Sequence, residues 1–234
     1  MNEPDLVARI RPGRSITGMS AVLLPHTAGG DIDWDATEAH IDRTVAAGLT
    51  PAVNMDTGYV QLLDDDQKTA VLERTAVMAP DGFVAGAYVA DQPGAAFDLD
   101  GYLAACDAIA SRGGTPVIFP SHGLNSLDDD GWVAALTAIG ERVDRFIGFE
   151  LGSMFVPYGR IPSLDAYEAL MGVGSCIGAK HSSLSRQLEW DRLELRDRVR
   201  PEFTVFTGND LAIDMVMYGS DSVSYTHLTL PTMQ

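Results

Sequence analysis

Ser175-Cys176-Ile177-Gly178-Ala179-Lys180-His181-Ser182-Ser183 is a short apolar run that delivers one lysine and then breaks into hydroxyl residues. Burying an ammonium costs several kcal/mol unless the charge is paired or removed, and desolvation favours the neutral amine. A lysine so placed reads either as a nucleophile or as a strand-end residue whose stem carries its charge out to solvent. The surroundings decide between the two.

Runs of the same kind recur along the chain and alternate with longer segments of helical period, which is the pattern of βα units and a parallel sheet. The apolar runs predict strands over 21–24, 51–55, 83–89, 116–119, 145–151, 176–180 and 203–207. Helices are predicted between and after them, over 34–47, 66–78, 99–111, 129–143, 164–171, 188–198 and 211–218. Asp33, Asp98 and Ser163 stand where N-caps belong. Seven such units without a break in composition predict a single α/β domain, a (β/α)8 TIM barrel, with an eighth unit due straight after Gly219.

That unit is not legible. From Ser222 the chain runs Ser-Val-Ser-Tyr-Thr-His-Leu-Thr-Leu-Pro-Thr-Met-Gln, without a Lys, Arg, Asp or Glu. This tail resembles translated adapter sequence, so residues 1–221 are expected to be an incomplete barrel and 222–234 a non-native tail. A β-prone last strand over 225–230 is the other reading. Without an eighth strand, the first and seventh would be open edges, and the chain is expected to fold marginally or aggregate.

Composition narrows the function classes. With 46% hydrophobic and 21% charged residues, the 234-residue chain has ample material for a core. A formal charge of -17 argues against nucleic acid and anionic membranes as partners, since both require clustered Lys and Arg. Two cysteines, Cys106 and Cys176, give no disulfide framework. No apolar leader and no run of 18 apolar residues is present, which predicts a cytoplasmic protein.

In a barrel the chemistry sits at the C-terminal ends of the strands. Side chains alternate across a strand, so Gly178, Lys180 and Ser182 share one face and Ile177, Ala179 and His181 the other. In Ile147-Gly148-Phe149-Glu150-Leu151 the odd positions are apolar and suit the helix layer, which predicts Glu150 pointing inward, beside Lys180. An amine next to an acid/base group is what Schiff-base chemistry requires. A second cluster, Met55-Asp56-Thr57-Gly58-Tyr59, offers a hydroxyl and a tight glycine turn that suit a carboxylate.

From about Ile16 to Asp221 the chain resembles the dihydrodipicolinate synthase and N-acetylneuraminate lyase family, class I barrel enzymes whose lysine forms a Schiff base with pyruvate or another 2-oxo acid. Gly178-Ala179-Lys180-His181-Ser182-Ser183 resembles the family's Gly-x-Lys-x-Ser strand. Phe206-Thr207-Gly208-Asn209-Asp210 resembles its Ser/Thr-Gly-x-Asp segment, and Met55-Asp56-Thr57-Gly58-Tyr59 falls where the family has Gly-Thr-Thr-Gly-Glu. The departures are specific. Asp56 replaces the first threonine, Phe149-Glu150 stands where a proton-relaying tyrosine ends the fifth strand, and His122 takes the tyrosine position of Pro-x-Tyr in Pro120-Ser121-His122.

The resemblance implies a lyase, an aldolase or a dehydratase, in which Lys180 attacks a ketone, Glu150 or His122 moves protons, and Thr57, Gly58 and Asp56 surround the substrate carboxylate. Gly208 and Asp210 are carried over with their motif, and Tyr158 and Arg160 are expected to contact substrate. It also implies a homotetramer. No paired ligand spacing joins His26, His40, His122 and His181, so no metal is expected, and no glycine-rich strand-to-helix turn supports NAD or ATP, so no cofactor is expected. The competing class is a barrel that binds a sugar acid or carboxylate without forming an imine.

Overall fold

The computed structural model describes residues 7–224, the side chains of 210–211 and 222–224 excepted. Eight parallel strands close into a ring in chain order: β1 Gly18–Ala21, β2 Thr50–Val53, β3 Phe83–Ala87, β4 Gly114–Ile118, β5 Phe146–Leu151, β6 Cys176–Ser182, β7 Thr204–Thr207 and β8 Asp221–Ser224. Helices α1 Trp34–Ala46, α2 Asp65–Met78, α3 Leu99–Ala110, α4 His122–Asn125, α5 Asp129–Gly140, α6 Leu164–Met171 and α7 Arg186–Val199 follow β1 to β6.

The three expected N-caps are in place. Asp33, Asp98 and Ser163 accept hydrogen bonds from the amides of Ala36, Gly101 and Ala166, each satisfying an orphan donor of a helix first turn. Asp64 and Gln67 add a reciprocal capping box at α2. The segment expected as a helix over 211–218 is instead a 3-10 helix, Asp210–Tyr218, kinked at Ala212. The first strand lies three residues earlier than its apolar run suggests. Val22 and Leu24 pack into the helix-side core beyond the end of the strand.

The edges expected to be open are paired, while no helix of an eighth unit follows among the described residues. Asp221–Ser224 pairs with β7 through Phe206 and Thr207, and with β1 through Gly18, Met19 and Ser20. The expected open edges are therefore absent, and the first three residues of the tail belong to the barrel wall. Its pattern is polar, so hydrophobic periodicity could not reveal it; pairing on both sides is what makes it a strand. The alternative strand over 225–230 lies outside the described residues.

Two apolar layers result. Met19, Ala52, Val84, Val117, Phe119, Ile147, Phe149, Leu151 and Phe206 fill the barrel. A larger shell that includes Ala85, Ile118, Phe146, Ala179 and Phe203 packs between strands and helices. Among the described residues no helix is long and apolar enough to cross a membrane.

Candidate functional site

Alternation along β6 sends Ala179 to the helix layer and Lys180 into the barrel, as expected. Lys180 is wholly buried, and its Nζ lies 4.3 Å from the centroid of the Phe149 ring. Phe206 stands beside it on β7. Gly208 follows, its amide donating to the His181 carbonyl at 2.8 Å. A Cβ at Gly208 would overlap Ser182 Oγ and come 2.8 Å from Lys180 Cε, so glycine is what leaves the lysine its space. Ser182 Oγ is buried without a hydrogen-bond partner among the described residues. The structure thus brings the lysine motif and the Gly208 motif into direct contact.

Glu150 is not part of that contact. Phe149 takes the inward position on β5, and Glu150 faces α7. There its carboxylate accepts Arg192 Nε at 2.7 Å and Arg192 Nη2 at 2.5 Å, and it meets His181 Nδ1 at 2.8 Å. Burial alone would raise its pKa, but His181 and Arg192 outweigh that and hold it below the ordinary carboxylate value. Glu150 departs from the expected inward position because a barrel of this size is filled by side chains and is as apolar inside as between strands and helices. A buried carboxylate belongs wherever its partners are, and Arg192 is on the helix side.

At the rim, β2 leads into a single 3-10 turn, Asp56–Gly58. Asn54 and Tyr59, with φ of 50° and 58°, bracket it in the left-handed region that non-glycine residues seldom adopt. Asp56 Oδ1 and Thr57 Oγ1 are buried with no hydrogen-bond partner among the described residues, a state that costs free energy until a ligand or water satisfies it. Met55 and Val60 anchor the turn in the barrel core.

Beyond β4, Asp91 accepts the amides of His122 and Gly123 at 2.8 and 2.7 Å, fixing the start of α4. The His122 ring packs on Tyr158 with centroids 4.1 Å apart, so two of the expected residues do meet. Burial, then Tyr88 and Asp91, raise the Tyr158 pKa. Tyr88 was missed by sequence reasoning. It directly follows β3 and packs edge-on to Phe119, which in turn packs edge-on to Phe149. A phenol at the C-terminal end of a strand was the available signal.

By sequence, neither a family model nor a curated protein matches the chain. By structure, a dihydrodipicolinate synthase from Bacteroides thetaiotaomicron superimposes with a TM-score of 0.77 at 12% identity, over 92% of this chain and 71% of that one. A dihydrodipicolinate synthase from Thermotoga maritima gives 0.73 at 16% identity, over 90% and 70%. CdNal from Clostridium difficile, solved in complex with mannosamine, gives 0.68 at 18% identity, over 91% and 70%. The fold is that of the dihydrodipicolinate synthases.

Within this dihydrodipicolinate synthase fold, one expected contact residue has partners of its own in the protein. Arg160 donates to the Leu127 carbonyl and to Asp129, clasping the start of α5. Its guanidinium thus holds the loop that leads into α5. Asp210 opens the last 3-10 helix, and its side chain lies outside the described residues.

Proposed function

We propose that this chain is a divergent member of the dihydrodipicolinate synthase and N-acetylneuraminate lyase family, a lyase that forms a Schiff base between Lys180 and a small 2-oxo acid. The observation that carries the reading is Lys180 itself, enclosed at the C-terminal end of a barrel strand against Phe149, with Gly208 keeping its side chain clear. An amine in such a place attacks a ketone; loss of water from the carbinolamine gives an iminium, which serves as the electron sink for C–C or C–O cleavage. Thr57 Oγ1 and the Gly58 turn hold the substrate carboxylate, and Asp56 enters that site protonated or paired with the ligand, since two bare carboxylates would repel. His122 and Tyr158 move protons in place of Glu150.

The chain carries two lysines, Lys68 and Lys180, and Lys68 is a half-buried residue of α2 paired with Asp65. Borohydride reduction in the presence of pyruvate, followed by peptide mapping, therefore has two possible lysine targets. An adduct on Lys180, abolished in Lys180→Ala, is the expected result. Phe149 gives a second reading its one support, because it presents no hydroxyl to the amine. Saturable binding of a 2-oxo acid to folded protein with no reducible adduct would favour a binding barrel over a lyase.

A further inference from the structure

On the other face of β6 the residues form a different constellation. Ser183 directly follows the strand at the mouth of the barrel and is half-buried. Its Oγ lies 2.6 Å from His181 Nε2, and His181 Nδ1 lies 2.8 Å from Glu150 Oε2. Glu150 is ionised and can only accept, so it fixes the imidazole proton on Nδ1. Arg192 already balances the carboxylate charge, which leaves Nε2 as the acceptor for the serine hydroxyl. Nucleophile, base and orienting acid stand in the order and at the distances of a catalytic triad, a pattern recognised by geometry and independent of fold.

The surrounding turn is built to hold the serine. Leu184 sits at φ 58°, a strained value for a leucine, and Asn209 Oδ1 accepts the amides of both Ser183 and Leu184 at 2.9 and 2.8 Å. The Ser185 amide donates to Ser183 Oγ at 3.1 Å. Beyond this turn, Glu189 of α7 accepts from Thr207, Asn209 and Ser220 and reaches His181 only through its charge.

We propose that Ser183, backed by His181 and Glu150, is an activated nucleophile that takes an acyl group from a small activated ester or thioester. The Oγ–C bond forms, the C–O or C–S bond to the leaving group breaks, and the serine proton passes through His181 Nε2 to the departing alkoxide or thiolate. The donor must be activated because the amides of Ser183 and Leu184 are held by Asn209 and cannot stabilise an oxyanion. This chemistry does not depend on the imine at Lys180, which faces the opposite side of the strand.

Ser183→Cys tests the relay directly. Both native cysteines are fully buried, and burial pushes each thiol up to about 12, so they stay silent. The new thiol is expected to titrate well below the ordinary value of about 8.5 and to react with iodoacetamide at pH 6 roughly tenfold faster than free cysteine. A profile matching free cysteine overturns the relay. On the native chain, a fluorophosphonate is expected to label Ser183, and His181→Gln to remove the label. Labelling of another residue, or none in folded protein, overturns the acyl-acceptor role.

Discussion

Phe149 decides more at the site than any other single residue, because it occupies the inward end of β5 and gives the lysine a ring face instead of a hydroxyl. An aromatic face attracts an ammonium by about 0.5–2 kcal/mol, which holds the side chain in place. Under the proposed imine mechanism, the proton transfers would then be served from the rim. Phe149→Tyr would add a phenol within the same enclosure. It is expected to leave trapping of pyruvate on Lys180 unchanged and to raise the exchange of the bound pyruvate methyl protons with deuterium at least about tenfold, at the low end for a positioned acid/base group. Proton NMR reads this exchange directly. An unaltered rate would mean that a phenol at this position adds nothing to the proton transfer. Sequence alone separated these roles poorly. Parity placed Lys180 correctly because its strand mixes polar and apolar positions, and misplaced Glu150 because both faces of β5 are apolar apart from that carboxylate.

At the scale of the element, α7 is unusual in burying charge. Glu189, Arg192 and Arg196 lie three and four residues apart on one face and are each at least nine-tenths buried, where an amphipathic helix would carry apolar residues. Each has partners: Arg192 on Glu150 and the Pro162 carbonyl, Arg196 near the Phe203 and Gly219 carbonyls, and Glu189 under three donors. This face gives no clean helical period, and α7 begins two residues before the helix expected from the sequence. Arg192→Met would strand Glu150 and is expected to cost about 3–5 kcal/mol, lowering the melting temperature by roughly 10 °C, with partial recovery in Arg192→Met combined with Glu150→Leu. A shift under about 2 °C would mean that Glu150 finds other compensation.

The two carboxylates of this network also act oppositely with pH. Glu150 is held below its ordinary value of 4.5, so its stabilising contribution is present above that pH and is lost as the solution is acidified through the folded value. Burial raises Glu189, despite the hydrogen bonds of Ser220, Thr207 and Asn209. The unfolded chain then releases that proton first, and stability falls as pH rises from about 4.5 to the raised value, by at most about 1.4 kcal/mol per pH unit. Glu189→Gln is expected to flatten the melting temperature across that window while leaving the acid limb, set by Glu150, in place. An unchanged slope above pH 4.5 would assign it to other groups.

For the whole molecule the issue is closure. The strands and helices of the first seven units were legible because apolar runs and caps recur at each of them, whereas β8 carries Asp221-Ser222-Val223-Ser224 and announces nothing. Its position comes from long-range contacts. Arg14, just before β1, donates to Asp221 at 2.6 Å, to the Val216 carbonyl at 3.0 Å and to the Ser220 carbonyl, and the Thr17 amide reaches Asp221 Oδ1 at 3.3 Å. Both members of the ion pair are largely buried, so the clasp is protected from the screening that weakens surface pairs. Arg14→Ala leaves a largely buried carboxylate and two carbonyls without this donor, which is expected to cost about 1–3 kcal/mol. The loss should be local before it is global. Amides of β8 and the β1 edge should exchange with deuterium faster, while those of β3 to β5, on the far side of the ring, keep their protection. If the sheet were open between β1 and β7, as the tail composition suggested, β8 would show no protection to lose, and native and variant chains would exchange alike from residue 215 to 224.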